Sequence, residues 1–430
     1  MDLKSFPRPA DGSCRGIHWS ASVFHPSGSS LDWWINELLA MNIKWVKLLD
    51  NGGGSSKSIC QKLLAKQIIP IVRLYRDRPN PLQLNDEQKQ TVKDLVALGV
   101  RYIECTNEPN LESEWQVGAW QSGGNPELVM QNWVPDAKAV IAAGGYPAFP
   151  ALAQCALQPE HSSINWTVNA FKWLDEQAHA DAEYIFTHGG WIAVHAATLN
   201  HCYKDSDGNW HFEYPYDPVC QKDQPGKTIM QDDNSLIGYR MPAKLLQDHF
   251  GLQVPVISTE GGVLVPQSGW EQLDSRYPGY DEVGHAERTA AMFQWLRTNA
   301  EDYFFAMCPW LIANERMGFV SPDWTKQAWY QMDRELPVVN AVKKMGPDPA
   351  PLPTLPLDET LRNATWKQRH FPYNPNAALT KYARSHNLGS PLTEEFDITW
   401  GGKSYRVQGF TGAIVYAEVG DWGNIKSLSW

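Results

Sequence analysis

Arg101-Tyr102-Ile103-Glu104-Cys105-Thr106-Asn107-Glu108-Pro109-Asn110 is a short strand-like run that stops at a carboxylate followed by proline. Ile257-Ser258-Thr259-Glu260-Gly261-Gly262 ends in the same way, with a carboxylate followed by two turn-forming glycines. Around these two stretches the chain alternates β-branched or aromatic runs with amphipathic segments of helix length, the pattern of a parallel sheet with crossover helices. Eight runs are predicted: Gly16–Ser20, Ile43–Leu49, Ile68–Tyr75, Arg101–Thr106, Tyr146–Ala153, Trp191–Ala196, Val254–Thr259 and Tyr303–Met307. The helices expected after them are Leu31–Met41, Ser55–Lys66, Asp86–Leu98, Pro126–Ala143, Ile164–Ala180, Pro242–Phe250, Val283–Ala300 and Trp324–Met345. An open doubly wound sheet would show a glycine-rich phosphate turn after its first strand, and none is present. Eight strand–helix units therefore predict an α/β fold, a (β/α)8 TIM barrel over residues 1–345.

Beyond the barrel, Gly346-Pro347-Asp348-Pro349-Ala350-Pro351-Leu352-Pro353-Thr354-Leu355-Pro356 carries five prolines and reads as a stiff extended linker. Residues 357–430 hold one helical run, Ala377–His386, and strand-like runs at Tyr405–Gln408 and Ala413–Glu418. They predict a small C-terminal α+β module without a catalytic cluster. Its aromatic residues, Trp400, Tyr405, Tyr416, Trp422 and Trp430, suit either a carbohydrate-binding appendage or the module's own core.

With 43% hydrophobic residues among 430, the chain can bury a large core. A net charge of -11 argues against nucleic-acid or anionic-membrane partners, which favour basic patches. No purely apolar run reaches the roughly 20 residues of a membrane span. The N-terminus, Met1-Asp2-Leu3-Lys4-Ser5-Phe6-Pro7, has no apolar signal region, so the expectation is either a cytoplasmic protein or one whose signal peptide has been removed. Seven cysteines make no disulfide framework; Cys105 and Cys308 read as buried small hydrophobes, and only Cys202 and Cys220 flank one loop in a way that suggests a bridge. Twenty Trp and sixteen Tyr exceed what a core comfortably absorbs. Loop rings such as Trp115, Trp120, Trp210 and Trp270 are candidates for stacking on the C–H faces of sugars.

In a barrel of this kind the loops after the strands converge on one cleft, so strand ends are where catalytic groups belong. Glu108 ends the fourth run and Glu260 the seventh. Two carboxylates facing one another over a glycosidic bond can divide the work of a double displacement: at about 5 to 5.5 Å apart, one attacks the anomeric carbon while the other protonates the leaving oxygen. Here the sequence resembles the clan A glycoside hydrolases, a retaining (β/α)8 superfamily with its acid/base in an Asn-Glu-Pro at the end of strand four and its nucleophile a Glu ending strand seven. The resemblance covers roughly residues 14–345 and includes Met307-Cys308-Pro309-Trp310, which matches the clan's Trp after strand eight at the floor of the sugar subsite. It implies Glu108 as acid/base, Glu260 as nucleophile, Asn107 as a donor to the sugar 2-hydroxyl, and His195 on strand six as a contact of the nucleophile.

Strand parity adds a further expectation. If Glu108 faces the barrel mouth, Glu104 lies on the same side deeper down, where a buried carboxylate needs cations. Lys47 on strand two and Arg73 on strand three are available, predicting a Lys47/Arg73/Glu104 network under the site that keeps Glu260 ionised, while Glu108 in a drier setting has a raised pKa. His18 ends strand one and is a candidate sugar contact; Asp50 and Asn51 are weaker ones, since Asp-Asn-Gly is also a turn signal. The reading is a retaining β-glycoside hydrolase acting on a β-linked oligo- or polysaccharide, with no cofactor and no metal. The alternatives are an inactive sugar-binding barrel, a transglycosylase with the same residues, and a zinc hydrolase, which would call for a His-x-His where strand one has only His18. The loops Asn200–Ile237 and Gly262–Asp281 are expected to shape the cleft.

Overall fold

The computed structural model describes residues 1–120, 124–155, 158–266, 274–318, 324–348, 356–367 and 377–430. Eight strands form one parallel sheet in sequential order: β1 Gly16–His18, β2 Trp45–Asp50, β3 Ile69–Leu74, β4 Tyr102–Glu104, β5 Tyr146–Phe149, β6 Trp191–Ala197, β7 Val256–Gly262 and β8 Phe304–Met307. A parallel bridge between Arg15 and Met307 closes β8 onto the start of β1. All eight predicted runs are strands of this (β/α)8 barrel.

The crossover helices are α1 Gly28–Ala40, α2 Lys57–Ala65, α3 Asp86–Leu98, α4 Pro126–Ala142, α5 Ser163–Thr187, α6 Arg240–Phe250, α7 Glu282–Asn299 and α8 Pro337–Lys344. Local chemistry sets their ends. Asn85 and Gln88 form a reciprocal capping box at the start of α3, Asp281 caps α7 through the Gly284 N–H, and left-handed Gly99 and Gly251 stop α3 and α6.

The last helix is much shorter than Trp324–Met345. Pro337 disfavours helix for the residue before it and so fixes the first turn. Trp329 and Tyr330 are instead extended, donating their N–H groups to Leu311 O and Ile312 O at 3.1 and 2.9 Å, with both side chains fully buried. Capture of these rings beside the loop after β8 outweighs the helical pattern.

Side chains fill the barrel in layers. At the bottom, Trp45, Ile71, Tyr102, Ala148, Trp191, Ile257 and Ala306 pack together, and Phe6 of the N-terminal segment seals them from below. The ring N–H of Trp45 donates to Ser13 O, that of Trp191 to Tyr146 O, and the Tyr102 hydroxyl to Pro7 O, so the polar edges of the large rings are satisfied. Outside this end Arg15, buried, donates to Met41 O and Gly346 O and pairs with Asp348 at 2.6 Å; Arg297 approaches the same carboxylate at 3.6 Å. This tie puts the end of the barrel unit at Asp348, three residues beyond the expected Met345. The predicted linker lies mostly outside the described residues.

The C-terminal unit is an antiparallel sheet of β9 Phe396–Trp400, β10 Lys403–Gly409, β11 Ile414–Glu418 and β12 Lys426–Leu428, with helices α9 Leu357–Lys367 and α10 Ala378–Ser385. Leu361 of α9 packs with Tyr405, Val407 and Ile414 from one sheet face; Leu379 and Ala383 of α10 pack with Val415 and Ala417 from the other. Trp400, Tyr405 and Tyr416 thus belong to the unit's own core, while Trp422 remains exposed. No helix among the described residues is long and apolar enough to cross a membrane.

Candidate active site

The layer above the aromatic floor is charged. Lys47 on β2 forms an ion pair with Glu104 on β4, both buried, and Thr259 on β7 donates its hydroxyl to the other Glu104 oxygen at 2.8 Å. Arg73, the third expected member, does not complete this network. Its guanidinium reaches up instead, donating to Glu260 Oε1 at 3.1 Å and to Asn107 Oδ1.

A β-bulge gives β7 two consecutive inward residues. Val194 of β6 lies opposite Ser258, but the next residue, His195, lies opposite Glu260, so Thr259 is an extra residue on β7. Thr259 can therefore meet Glu104 below while Glu260 faces the mouth. Gly261 follows with φ +113°, and a Cβ there would stand 2.5 Å from the backbone of Ala196, so only glycine lets β7 pass β6 this closely.

Three groups converge on Oε1 of Glu260: Arg73 Nη1 at 3.1 Å, His18 Nε2 at 3.5 Å and His195 Nε2 at 3.8 Å. Oε2 has no partner among the described residues. Burial pushes the Glu260 pKa up, but His195, His18 and Arg73 together outweigh it and hold the carboxyl well below its usual range. His18 is fully buried against Trp310, with ring centroids 4.3 Å apart. Burial takes its pKa down to about 4, so it is a neutral imidazole supporting Glu260 and is not exposed as a sugar contact.

Glu108 follows β4 with φ +32°, an uncommon backbone conformation for a side-chain-bearing residue. Its N–H donates to Ala151 O at 3.0 Å, which holds the turn. His195 contacts this residue first, its Nδ1 lying 2.8 Å from Glu108 Oε1, and only then Glu260. The imidazole thus spans the two carboxylates, a change from the expected contact with the strand-seven residue alone. Burial lowers its pKa, but Glu260 and Glu108 more than compensate, and the result is raised. Asn107 is held from two sides, its Oδ1 accepting from Arg73 and its Nδ2 donating to Glu114 Oε1 at 3.0 Å.

Glu114 was not legible in the sequence as a site residue. It sits on a turn after β4 with no strand register to place it, and burial raises its pKa. Gln154, Asn234 and Trp324 were likewise not anticipated. With Glu108, His195, Glu260 and Trp310 they line a cleft of about 500 Å3 over strands four to eight. Asp50 and Asn51 are spent on their own turn: Asp50 accepts from the N–H groups of Gly52, Gly54 and Ser56, and Asn51 from Gly53 and Ser55.

The loop aromatics are mostly committed to packing. Trp115 is buried and donates to Pro109 O at 2.7 Å, bracing the Glu108 turn; Trp120 is stacked with His161 and Trp166; Trp210 has Lys204 and Arg288 against its ring. Trp270 lies outside the described residues. The loop after β6 carries a hairpin, Tyr203–Lys204 with Trp210–His211, and is tied to the loop after β7 by Asn200 Nδ2 to Asp274 O at 2.9 Å and Tyr277 to Asp217 at 2.8 Å. All seven cysteines are free. Cys220 is packed with Tyr214 and Tyr277, apart from Cys202, so the suggested bridge is absent. Among the described residues no group of three or more His, Cys, Asp or Glu is arranged to hold a metal ion.

No protein-family model matches the sequence, and no curated protein matches it. Solved structures similar to the chain include a monomeric β-xylosidase from Caulobacter crescentus, 13% identical, covering 77% of this chain and 68% of that one with a TM-score of 0.47. A GH39 enzyme from Xanthomonas axonopodis pv. citri is 12% identical over 94% of this chain and 73% of that one, TM-score 0.48. A curdlan-specific exo-β-1,3-glucanase of GH128 from Blastomyces gilchristii is 14% identical over 78% and 99%, TM-score 0.41.

Proposed function

We propose that the chain is a retaining β-glycoside hydrolase acting by double displacement, with Glu260 as nucleophile and Glu108 as acid/base. The observation that carries this reading is the opposite treatment of the two carboxylates. One Glu260 oxygen accepts a hydrogen bond from Arg73 and has the His18 and His195 ring nitrogens at 3.5 and 3.8 Å, surroundings that keep it ionised and leave Oε2 free to attack an anomeric carbon. Glu108 has a single nitrogen neighbour on Oε1, so its other oxygen can carry a proton to the departing glycosidic oxygen and later take one from water. Trp310 lines the same cleft and offers an apolar face to the ring being cleaved.

Activity against a panel of β-linked polysaccharides and aryl β-glycosides gives the substrate, and two variants test the roles. Glu260→Ala nearly abolishes turnover, and azide restores part of it by attacking in place of the missing carboxylate, giving a glycosyl azide of inverted configuration. Near-normal turnover by this variant overturns the assignment. Glu108→Gln slows substrates with poor leaving groups far more than activated aryl glycosides, which need little protonation; equal losses point to a different acid.

A further inference from the structure

The cleft over strands four to eight leaves the other side of the barrel mouth unaccounted for, and one ring there is unusual in being free. Ile71, Arg73 and Tyr75 follow one another at intervals of two along β3 and its end, so they share the inward face. Ile71 lies in the aromatic floor and Arg73 holds Glu260, which puts Tyr75 one step higher, at the mouth, about 6.6 Å along the strand from Arg73. Its N–H still bonds to Asp50 O at 2.8 Å, continuing the β2–β3 pairing and fixing the backbone. Yet Tyr75 is 42% exposed, and its side chain has no hydrogen bond, ring contact or cation partner among the described residues. Trp115, Trp120 and Trp210, by contrast, are packed or covered. A second exposed ring, Phe24, stands on the loop after β1, which His25 fastens to the neighbouring strand β2 through Leu49 O at 2.8 Å.

We propose that Tyr75 is a sugar-stacking platform outside the cleft described above, with Phe24 on the loop after β1 as a second exposed ring, which extends the substrate site across the mouth from β8 to β3. The ligand it takes is a further ring of a β-linked oligosaccharide whose neighbouring ring lies at Trp310 between Glu108 and Glu260. This rests on the glycosidase reading above and deepens it: the substrate is a chain of several sugars, bound on both sides of the scissile bond, and not a lone glycoside. With only two rotatable side-chain bonds on a fixed backbone, the ring loses little entropy on stacking, and its unpartnered hydroxyl is available to a sugar hydroxyl.

The test compares wild type, Tyr75→Ala, Tyr75→Phe and Phe24→Ala on β-1,3- and β-1,4-linked gluco-, xylo- and manno-oligosaccharides of two to six units and on the matching aryl monoglycosides. Tyr75→Ala is expected to lower kcat/KM on the longer oligosaccharides roughly five- to tenfold more than on the aryl monoglycoside, with Tyr75→Phe recovering most of the difference and Phe24→Ala giving a smaller loss of the same kind. Equal effects on short and long substrates overturn the proposal while leaving the catalytic assignment intact, because the azide experiment on Glu260→Ala reads that separately. Binding of the same oligosaccharides to full-length Glu260→Ala, with and without Tyr75→Ala, gives a second measure that needs no turnover: a several-fold weakening supports the platform, and unchanged affinity, or no binding by either protein, overturns it.

Discussion

At Glu260 the decisive quantity is how many nitrogens gather within 4 Å of one carboxylate oxygen. Burial alone would favour the neutral acid, and His195, His18 and Arg73 reverse that preference. The depressed pKa means that the stability contributed by ionised Glu260 is present above the ordinary carboxylate range and is lost only as pH falls through the lower, folded value. His195 runs the other way. Its raised pKa means its contribution is full below about 6.5 and fades as pH rises through the folded value. His195→Phe removes the strongest support of the Glu260 charge, so the acidic limb of the kcat/KM profile is expected to move to higher pH, measured on an aryl substrate that needs little help from Glu108. An unmoved acidic limb would show that His195 does not govern the ionisation of Glu260. Glu108 and Glu260 could be singled out in the sequence because one closely follows the run that becomes β4 and the other lies near the end of β7. The bridging position of His195 and the presence of Glu114 could not, because both depend on which side chains meet across the barrel and not on spacing along the chain.

At the scale of the element, the bulge in β7 lets adjacent residues do different jobs, Thr259 binding Glu104 below and Glu260 facing the barrel mouth. Gly261→Ala is expected to destabilise the protein by more than about 1 kcal/mol and to impair turnover, since its Cβ meets the Ala196 backbone at a positive φ; urea unfolding and an aryl-glycoside assay read the two effects. Lys47→Met leaves the Glu104 carboxylate buried without its cation and should cost about 3–5 kcal/mol, while the double variant Lys47→Met/Glu104→Leu recovers most of that loss. Strands were legible because a buried parallel strand is a short apolar run with turn residues at its ends, a property each run carries by itself. The Trp324–Met345 segment misled for the opposite reason. Its apolar spacing suits a helix, but the backbone of Leu311 and Ile312 offers Trp329 and Tyr330 extended partners that no local pattern announces.

For the whole molecule, the point where the barrel unit ends has a measurable effect. A chain ending at Asp348 keeps the partners of Arg15, whereas one ending at Met345 loses both the Gly346 carbonyl and the Asp348 carboxylate and leaves a buried guanidinium uncompensated. The longer truncation product is expected to melt at clearly higher temperature than the shorter, by calorimetry; equal melting temperatures would show the tie to be unimportant. The eightfold count and the sequential order of the barrel were legible, as was a separate C-terminal unit with two of its strands and one helix. Helix α9 and the outer strands of that unit were not, since their short, mixed-polarity segments acquire meaning only from the sheet they cover. The Arg15 tie also has a consequence in time. Its two ends are 333 residues apart, so a ribosome adding about 5–20 residues per second finishes Asp348 roughly 17 to 67 seconds after Arg15. β8 ends at Met307, so β1 lacks its closing neighbour for most of that interval, and Arg15 lacks the carboxylate that neutralises it for all of it.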